Sequence, residues 1–209
     1  MAKSDPKSST PKPRKGVRTQ EKILQSAIHC LANLGYQNTT FQSIANHCGL
    51  SQPLVVHYFK KKENVFPAVI EYLAQRTRSI LNTEVVHDSS PADRLRDFVR
   101  VSIGNARKEA EPARILLTLS FLAVFDEKFR PSNGQIKQIV INDLTEILLA
   151  GVKAGQFDVS EVTLTAKLIT SYIMGVRMNL LNEMPVVPDE TLIAAAEKHC
   201  LAIVGYRGE

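Results

Sequence analysis

The stretch Thr39-Thr40-Phe41-Gln42-Ser43-Ile44-Ala45-Asn46-His47-Cys48-Gly49-Leu50-Ser51-Gln52-Pro53-Leu54-Val55-Val56-His57-Tyr58-Phe59 decides how this chain is read. Asn38, Thr39 and Thr40 supply N-cap chemistry, and Thr39 with Gln42 three residues later fits a capping box opening a short helix. Phe41, Ile44, Ala45 and Cys48 recur on one face of that helix. Gly49 can then take a tight, left-handed turn that other residues resist. Ser51 is placed to cap the next helix, and Pro53 falls in its first turn, where a missing N–H costs little. Leu54, Val55, Tyr58 and Phe59 give this helix its packing surface. Two short helices at an angle, with small Ala45 at their approach and Ile44, Cys48, Leu50, Val55 and Tyr58 filling the angle, form the arrangement of a helix-turn-helix DNA reader. All-helical proteins that bind no DNA also produce such spacing by chance.

Outward from this motif the chain stays helical. Ile23, Leu24, Ala27, Ile28, Leu31 and Leu34 lie at three- and four-residue spacing, predicting a helix over 18–35 that Gly35 ends. After Lys60-Lys61-Lys62 a long apolar period begins, in which Pro67 requires either a late start after an Asn64 cap or a kink. Beyond 87–91 the same period returns in segments broken by Pro112, by Pro131-Ser132-Asn133-Gly134 ahead of a helix over 136–154, by a Gly155 cap and by Pro185 to Pro188. Strand alternation is absent, so the fold class is all-α with about nine helices.

Charge divides the chain into parts. Residues 1–62 carry ten Lys and Arg against two acidic residues, whereas residues 63–209 carry 16 against 19, within a total of +5. A basic first third on a mildly acidic body points to a polyanion-binding head and a body with another task. The expected organisation is a flexible basic arm over 1–17, a DNA-binding domain over 18–63, and a ligand-binding and dimerisation domain over 64–209. The arm's three prolines and net charge of +4 leave little apolar surface to bury. Three dispersed cysteines form no metal-ligand spacing and suit a reducing compartment. No apolar run approaches the roughly 20 residues of a membrane span. With no apolar segment at its start, the chain is expected in the cytoplasm, without membrane partner, metal or cofactor.

The segments Thr39 to Ala45, Cys48-Gly49-Leu50-Ser51 and His57-Tyr58-Phe59-Lys60-Lys61-Lys62-Glu63 together resemble the N-terminal domain of TetR-family transcriptional regulators, over Arg18 to about Leu73. That resemblance implies a dimeric regulator, a repressor released by a small-molecule effector, on a double-stranded operator with an inverted repeat. It places Gln52, Pro53 and Leu54 against base edges, Gln52 having an amide that can bond adenine bidentately. It places Thr40, His57, Tyr58 and Lys62 on phosphates, contacts that position the head more than they specify sequence. Two positions depart from the family's pattern: Val56 stands where an aromatic phosphate contact is usual, and Pro53 where a small residue is.

The last two helical segments are more apolar than one core contact requires. Pairing with their copies would make a four-helix dimer interface, similar to the family's, through Leu168, Tyr172, Gly175, Val176, Leu192, Ala196, Cys200 and Ile203. In the resembling family a small molecule enters the helical body. The residues expected to line such a pocket are Phe98, Leu117, Phe121, Phe125, Tyr172, Met174 and Met178, with Arg177 as a polar or anion-binding group. Nucleotide-binding, P-loop, zinc-protease and nucleophile-elbow motifs are all missing, so an enzyme is not expected. Two other readings stand beside the regulator: a sequence-indifferent architectural DNA-binding protein, and a helical ligand carrier whose head has lost DNA binding.

Overall fold

A computed structural model of the protein describes residues 15–86, 88–182 and 189–208. Most of the 1–17 arm, His87 and the Pro185 to Pro188 break lie outside the described residues. Among these residues there are nine α-helices and no strand: α1 Lys15–Asn38, α2 Phe41–Cys48, α3 Gln52–Phe59, α4 Val65–Glu84, α5 Pro91–Lys108, α6 Ala110–Phe125, α7 Arg130–Lys153, α8 Val162–Asn182 and α9 Asp189–Ile203.

Local chemistry sets most boundaries. Gly35 breaks α1 with φ 77° and ψ 168°, a conformation open essentially to glycine alone. The capping box sits one residue later than the sequence predicts. Thr40, not Thr39, accepts from the Ser43 N–H, and the Ser43 hydroxyl bonds the Thr40 N–H in return. Thr39 is buried and donates its hydroxyl to Gly35 O at 2.8 Å, so it closes the end of α1 instead. Gly49 does take the left-handed turn, at φ 63° and ψ 35°. Ser51 opens α3 without a side-chain cap bond. A short 3-10 turn, Lys62–Asn64, delays α4 until Val65, which puts Pro67 in the first turn and removes the need for a kink. The Pro131 to Gly134 break is not a loop: α7 begins at Arg130, Pro131 falls in its tolerant first turn, and Gly134 continues the helix.

Two cores result. In one, Ile23, Ala27, Ile28, Ile44, Ala45, Val55 and Phe59 of the first three helices meet Phe66, Val69 and Leu73 of α4, together with Ile115 and Leu119 of α6. The other joins Leu95, Phe98 and Ile103 of α5 to α7, α8 and α9. The head is thus seated on α4 and α6 through shared buried side chains, each contributing about 1.5–3 kcal/mol when fully buried. All three cysteines are buried and unpaired, as small core residues. Burial pushes the Cys200 thiol up to about 12, which keeps it protonated and unreactive near neutral pH.

Candidate DNA interface and ligand cavity

Helix α3 is held by its inner face. Val55 and Phe59 are buried against α2, and the Leu50 N–H closes onto Ala45 O at 3.1 Å across the glycine turn. Gln52, Pro53, Leu54, Val56 and His57 are therefore turned outward. Gln52, Pro53, Val56, His57 and Lys60 line one shallow exposed surface, which brings two of the three expected base readers, Gln52 and Pro53, beside the expected phosphate contact His57, while Leu54 is exposed outside it. Sequence reasoning missed Val56 and Lys60 as members of this surface. Their signal was the helical period itself, which sets 52, 53, 56, 57 and 60 on one side. Lys60 has φ 66° and ψ −50°, a strained conformation for a non-glycine residue, and its N–H bonds Val56 O at 2.8 Å. That turn reverses the chain directly after α3 and exposes Lys60 and Lys61.

The expected phosphate contacts lie around this surface in different states. Thr40 is exposed at the start of α2, and its hydroxyl, already accepting from Ser43, keeps its own proton to donate. His57 is exposed, with Nδ1 3.5 Å from Lys60 Nζ. Tyr58 is half-buried and its hydroxyl accepts from Gln20 Nε2 at 3.0 Å. Lys62 donates from Nζ to Gln37 O at 2.6 Å, so it ties the turn after α3 to the end of α1.

The body encloses a cavity of about 560 Å³ between α4, α5, α6, α7 and α8, within the roughly 300–1,000 Å³ typical of small-molecule sites. Of the eight expected lining residues the structure brings Leu117, Met174 and Arg177 to its wall. The other five lie elsewhere. Phe98 is wholly buried in the second core, and Phe121 and Phe125 are 63% and 73% exposed on the outside of α6. Tyr172 packs its ring 4.6 Å from that of His199, and Met178 is exposed. The reason is geometric: α6 carries apolar residues all round, and an apolar residue on such a helix can face core, cavity or outside. Residues the sequence reading missed include Arg76, Glu109, Lys137 and Lys167, polar groups without an apolar stripe to mark them.

The dimer-interface residues divide similarly. Leu168 and Gly175 are exposed on α8, in line with Leu164 and Met178. Tyr172, Val176 and Ile203 are half-buried against the second core, and Leu192 is half-buried on α9. Ala196 and Cys200 have no exposed surface, because α9 turns that face onto the core it shares with α5; they cannot touch a partner copy.

Residues 23–69 match the family model described as bacterial regulatory proteins, tetR family. The chain is 30% identical over 106 residues to nucleoid occlusion factor SlmA of Haemophilus ducreyi, covering 50% of this chain and 52% of that protein. It spans about half the length of the SlmA proteins it matches. In fold it is similar to the transcriptional regulator FadR of Bacillus subtilis solved with stearoyl-CoA, with a TM-score of 0.76 at 17% identity over 88% of this chain and 98% of that one. It is also similar to a transcriptional regulator of Saccharomonospora viridis solved with choline, with a TM-score of 0.77 at 15% identity over 90% and 96%.

Proposed function

We propose that this chain, whose residues 23–69 match the tetR family of bacterial regulatory proteins, is a homodimeric transcriptional repressor of that family that leaves an inverted-repeat operator when a small molecule fills its body. The observation that carries this reading is the outward face of α3: Gln52, Pro53 and Leu54 exposed at its start, with the Lys60 to Lys62 turn behind them. Phosphate contacts from Thr40, His57, Tyr58 and Lys62 would fix the head, while Gln52 reads a base edge. Residues 18–63 serve as the reading head, 64–209 as the ligand and dimer body, and the basic 1–17 segment as an arm on DNA.

Leu164, Leu168, Gly175 and Met178 form the outer stripe of α8 that a second copy would cover. A dimer sets two heads about 34 Å apart, one turn of duplex. The cavity supplies the switch: a ligand that favours the head spacing that does not fit DNA empties the operator, which takes about 5.5 kcal/mol of differential binding for a near-complete shift. This is a binding function exercised on DNA in the cytoplasm, and no helix of the described residues is long and apolar enough to cross a membrane.

The test is selection of bound sequences from a random duplex library, then titration of the winner against scrambled DNA at two salt concentrations. The expected result is an enriched inverted repeat bound by a dimer about 10³-fold or more above scrambled DNA. Absence of enrichment, with affinity falling uniformly as salt rises, would support sequence-indifferent binding instead.

A further inference from the structure

The cavity's charges are unequal. Five charged side chains line it, the four cations Arg76, Lys137, Lys167 and Arg177 and the single carboxylate Glu109. Glu109 is already taken, because Arg76 Nη2 bonds it directly. Burial works against the Arg76 charge, and the bond and charge of Glu109 together with Tyr72 more than offset it. No ion pair joins Lys137, Lys167 or Arg177 to any described residue. The two lysines are exposed; Arg177 is partly enclosed, and desolvation pulls its pKa below the ordinary value. An arginine stays charged in a protein, so this cost is not relieved by loss of a proton. It is relieved when an anion enters.

The remaining wall is largely aliphatic, with Leu73, Ile80, Leu116, Ile136 and Val140 on one side and Ile173 and Met174 on the other. Apolar walls take up an apolar body by area and do not choose its shape. The fold does not choose the ligand either, since similar folds hold choline and stearoyl-CoA. The choice falls to the unpaired cations.

We propose that the effector is an amphipathic anion, an apolar chain ending in a carboxylate or phosphate, with its head on Arg177, in the wider field of the Lys137 and Lys167 ammonium groups, and its chain along the aliphatic wall. This deepens the reading of the cavity as the effector site and rests on it. Arg177 is the selective group because its planar guanidinium can grip two anionic oxygens at once. The lysines add attraction at longer range, weakened by solvent.

The experiment is calorimetric titration of the full-length protein, without DNA, with four twelve-carbon probes below their micelle concentrations: dodecanoate, dodecyl phosphate, dodecanol and dodecyltrimethylammonium. The anions should bind at least about tenfold more tightly than the alcohol, as charge-assisted hydrogen bonds predict, and the cation more weakly still. Dodecanoate against dodecyl phosphate distinguishes a free acid from a phosphorylated effector. Arg177→Met, which keeps the apolar stem, should bring dodecanoate down to the level of dodecanol, and Arg177→Lys should restore part of the preference. The exposed-site double variant Lys137→Gln, Lys167→Gln should lower anion affinity alone, and it gives the answer if Arg177→Met does not fold. Equal binding of alcohol and carboxylate, no binding of either anion, or an unchanged preference in the variants would overturn the proposal. Anion binding that leaves operator affinity unaltered would sink the switch reading while this assignment stood.

Discussion

Lys62 answers to two demands, and they separate in experiment. Its ammonium ties the turn after α3 to the end of α1 through Gln37 O, and it is one of the proposed phosphate contacts. Lys62→Ala should weaken binding to every duplex alike and reduce the slope of log affinity against log salt by about one. A slope that stays the same in a titration from low to high salt would leave Lys62 with only its structural bond. Gln52 makes the opposite prediction. It is exposed and bonds no other described side chain, so its amide is free to read a base. Gln52→Ala should relax preference at one base pair per half-site, by about 1–3 kcal/mol, with the salt slope unchanged. Discrimination equal to wild type in a panel of single-base operator variants would move base reading to Pro53 or Leu54.

At the scale of elements, the head was legible in the sequence because its punctuation is chemical. Gly35, Gly49 and Pro67 act through backbone geometry that a residue name alone reveals, and each does what its chemistry predicts. The capping box slipped by one residue because Thr39 and Thr40 offer the same hydroxyl, and only the burial of Thr39 decides between them. The body was less legible. Ala196 and Cys200 read as an outward stripe, yet α9 packs that face on α5, a choice made by the tertiary fold and invisible to periodicity. Gly151 was missed for the same reason. Nothing local requires glycine there, but the Phe157 ring lies on it, and an added Cβ would fall 1.9 Å from that ring. Phe157 is buried between the end of α7 and Tyr206, so it has little room to yield. Gly151→Ala should therefore destabilise the protein by about 1–3 kcal/mol despite alanine's better helix propensity. A melting temperature at or above wild type would show that the ring moves aside freely.

At the scale of the molecule, the proposed switch requires ligand and DNA to communicate through the joint between cavity and head, and α6 spans that joint. Leu116, Leu117 and Ser120 of α6 line the cavity, while Glu111 in its first turn accepts from Asn33 Nδ2 at 2.9 Å and lies 2.7 Å from His29 Nδ1, both on α1. His29 stacks on His47 of α2 at 4.0 Å, and His47 Nδ1 lies 3.0 Å from Ser26 Oγ, so the contact reaches the first helix of the motif. Glu109, just before Glu111, holds Arg76 of α4. A displacement of α6 would thus pull on α1, α2 and α4 together. Burial tends to raise the Glu111 pKa, but the hydrogen bonds from Asn33 and His29 outweigh it and hold the carboxyl below its usual 4.5. A depressed carboxyl pKa gives stability that is present in full above the unfolded value and is lost as pH falls through the folded one. Glu111→Gln keeps the shape and removes the charge. Because the pair is partly solvent-exposed, the cost at pH 7 should be no more than about 1 kcal/mol, or about 2–4 °C in melting temperature. That gap should close as the pH is lowered below about 4.5. The same variant should bind operator almost normally but show a several-fold weaker effect of ligand on DNA affinity, since the coupling free energy passes through the bond it weakens. Melting curves at both pH values, with operator titrations with and without ligand, measure the two effects on one sample. A gap that is constant with pH would remove the Glu111 charge from the joint, and coupling equal to wild type would route the signal through Arg76 and α4 instead.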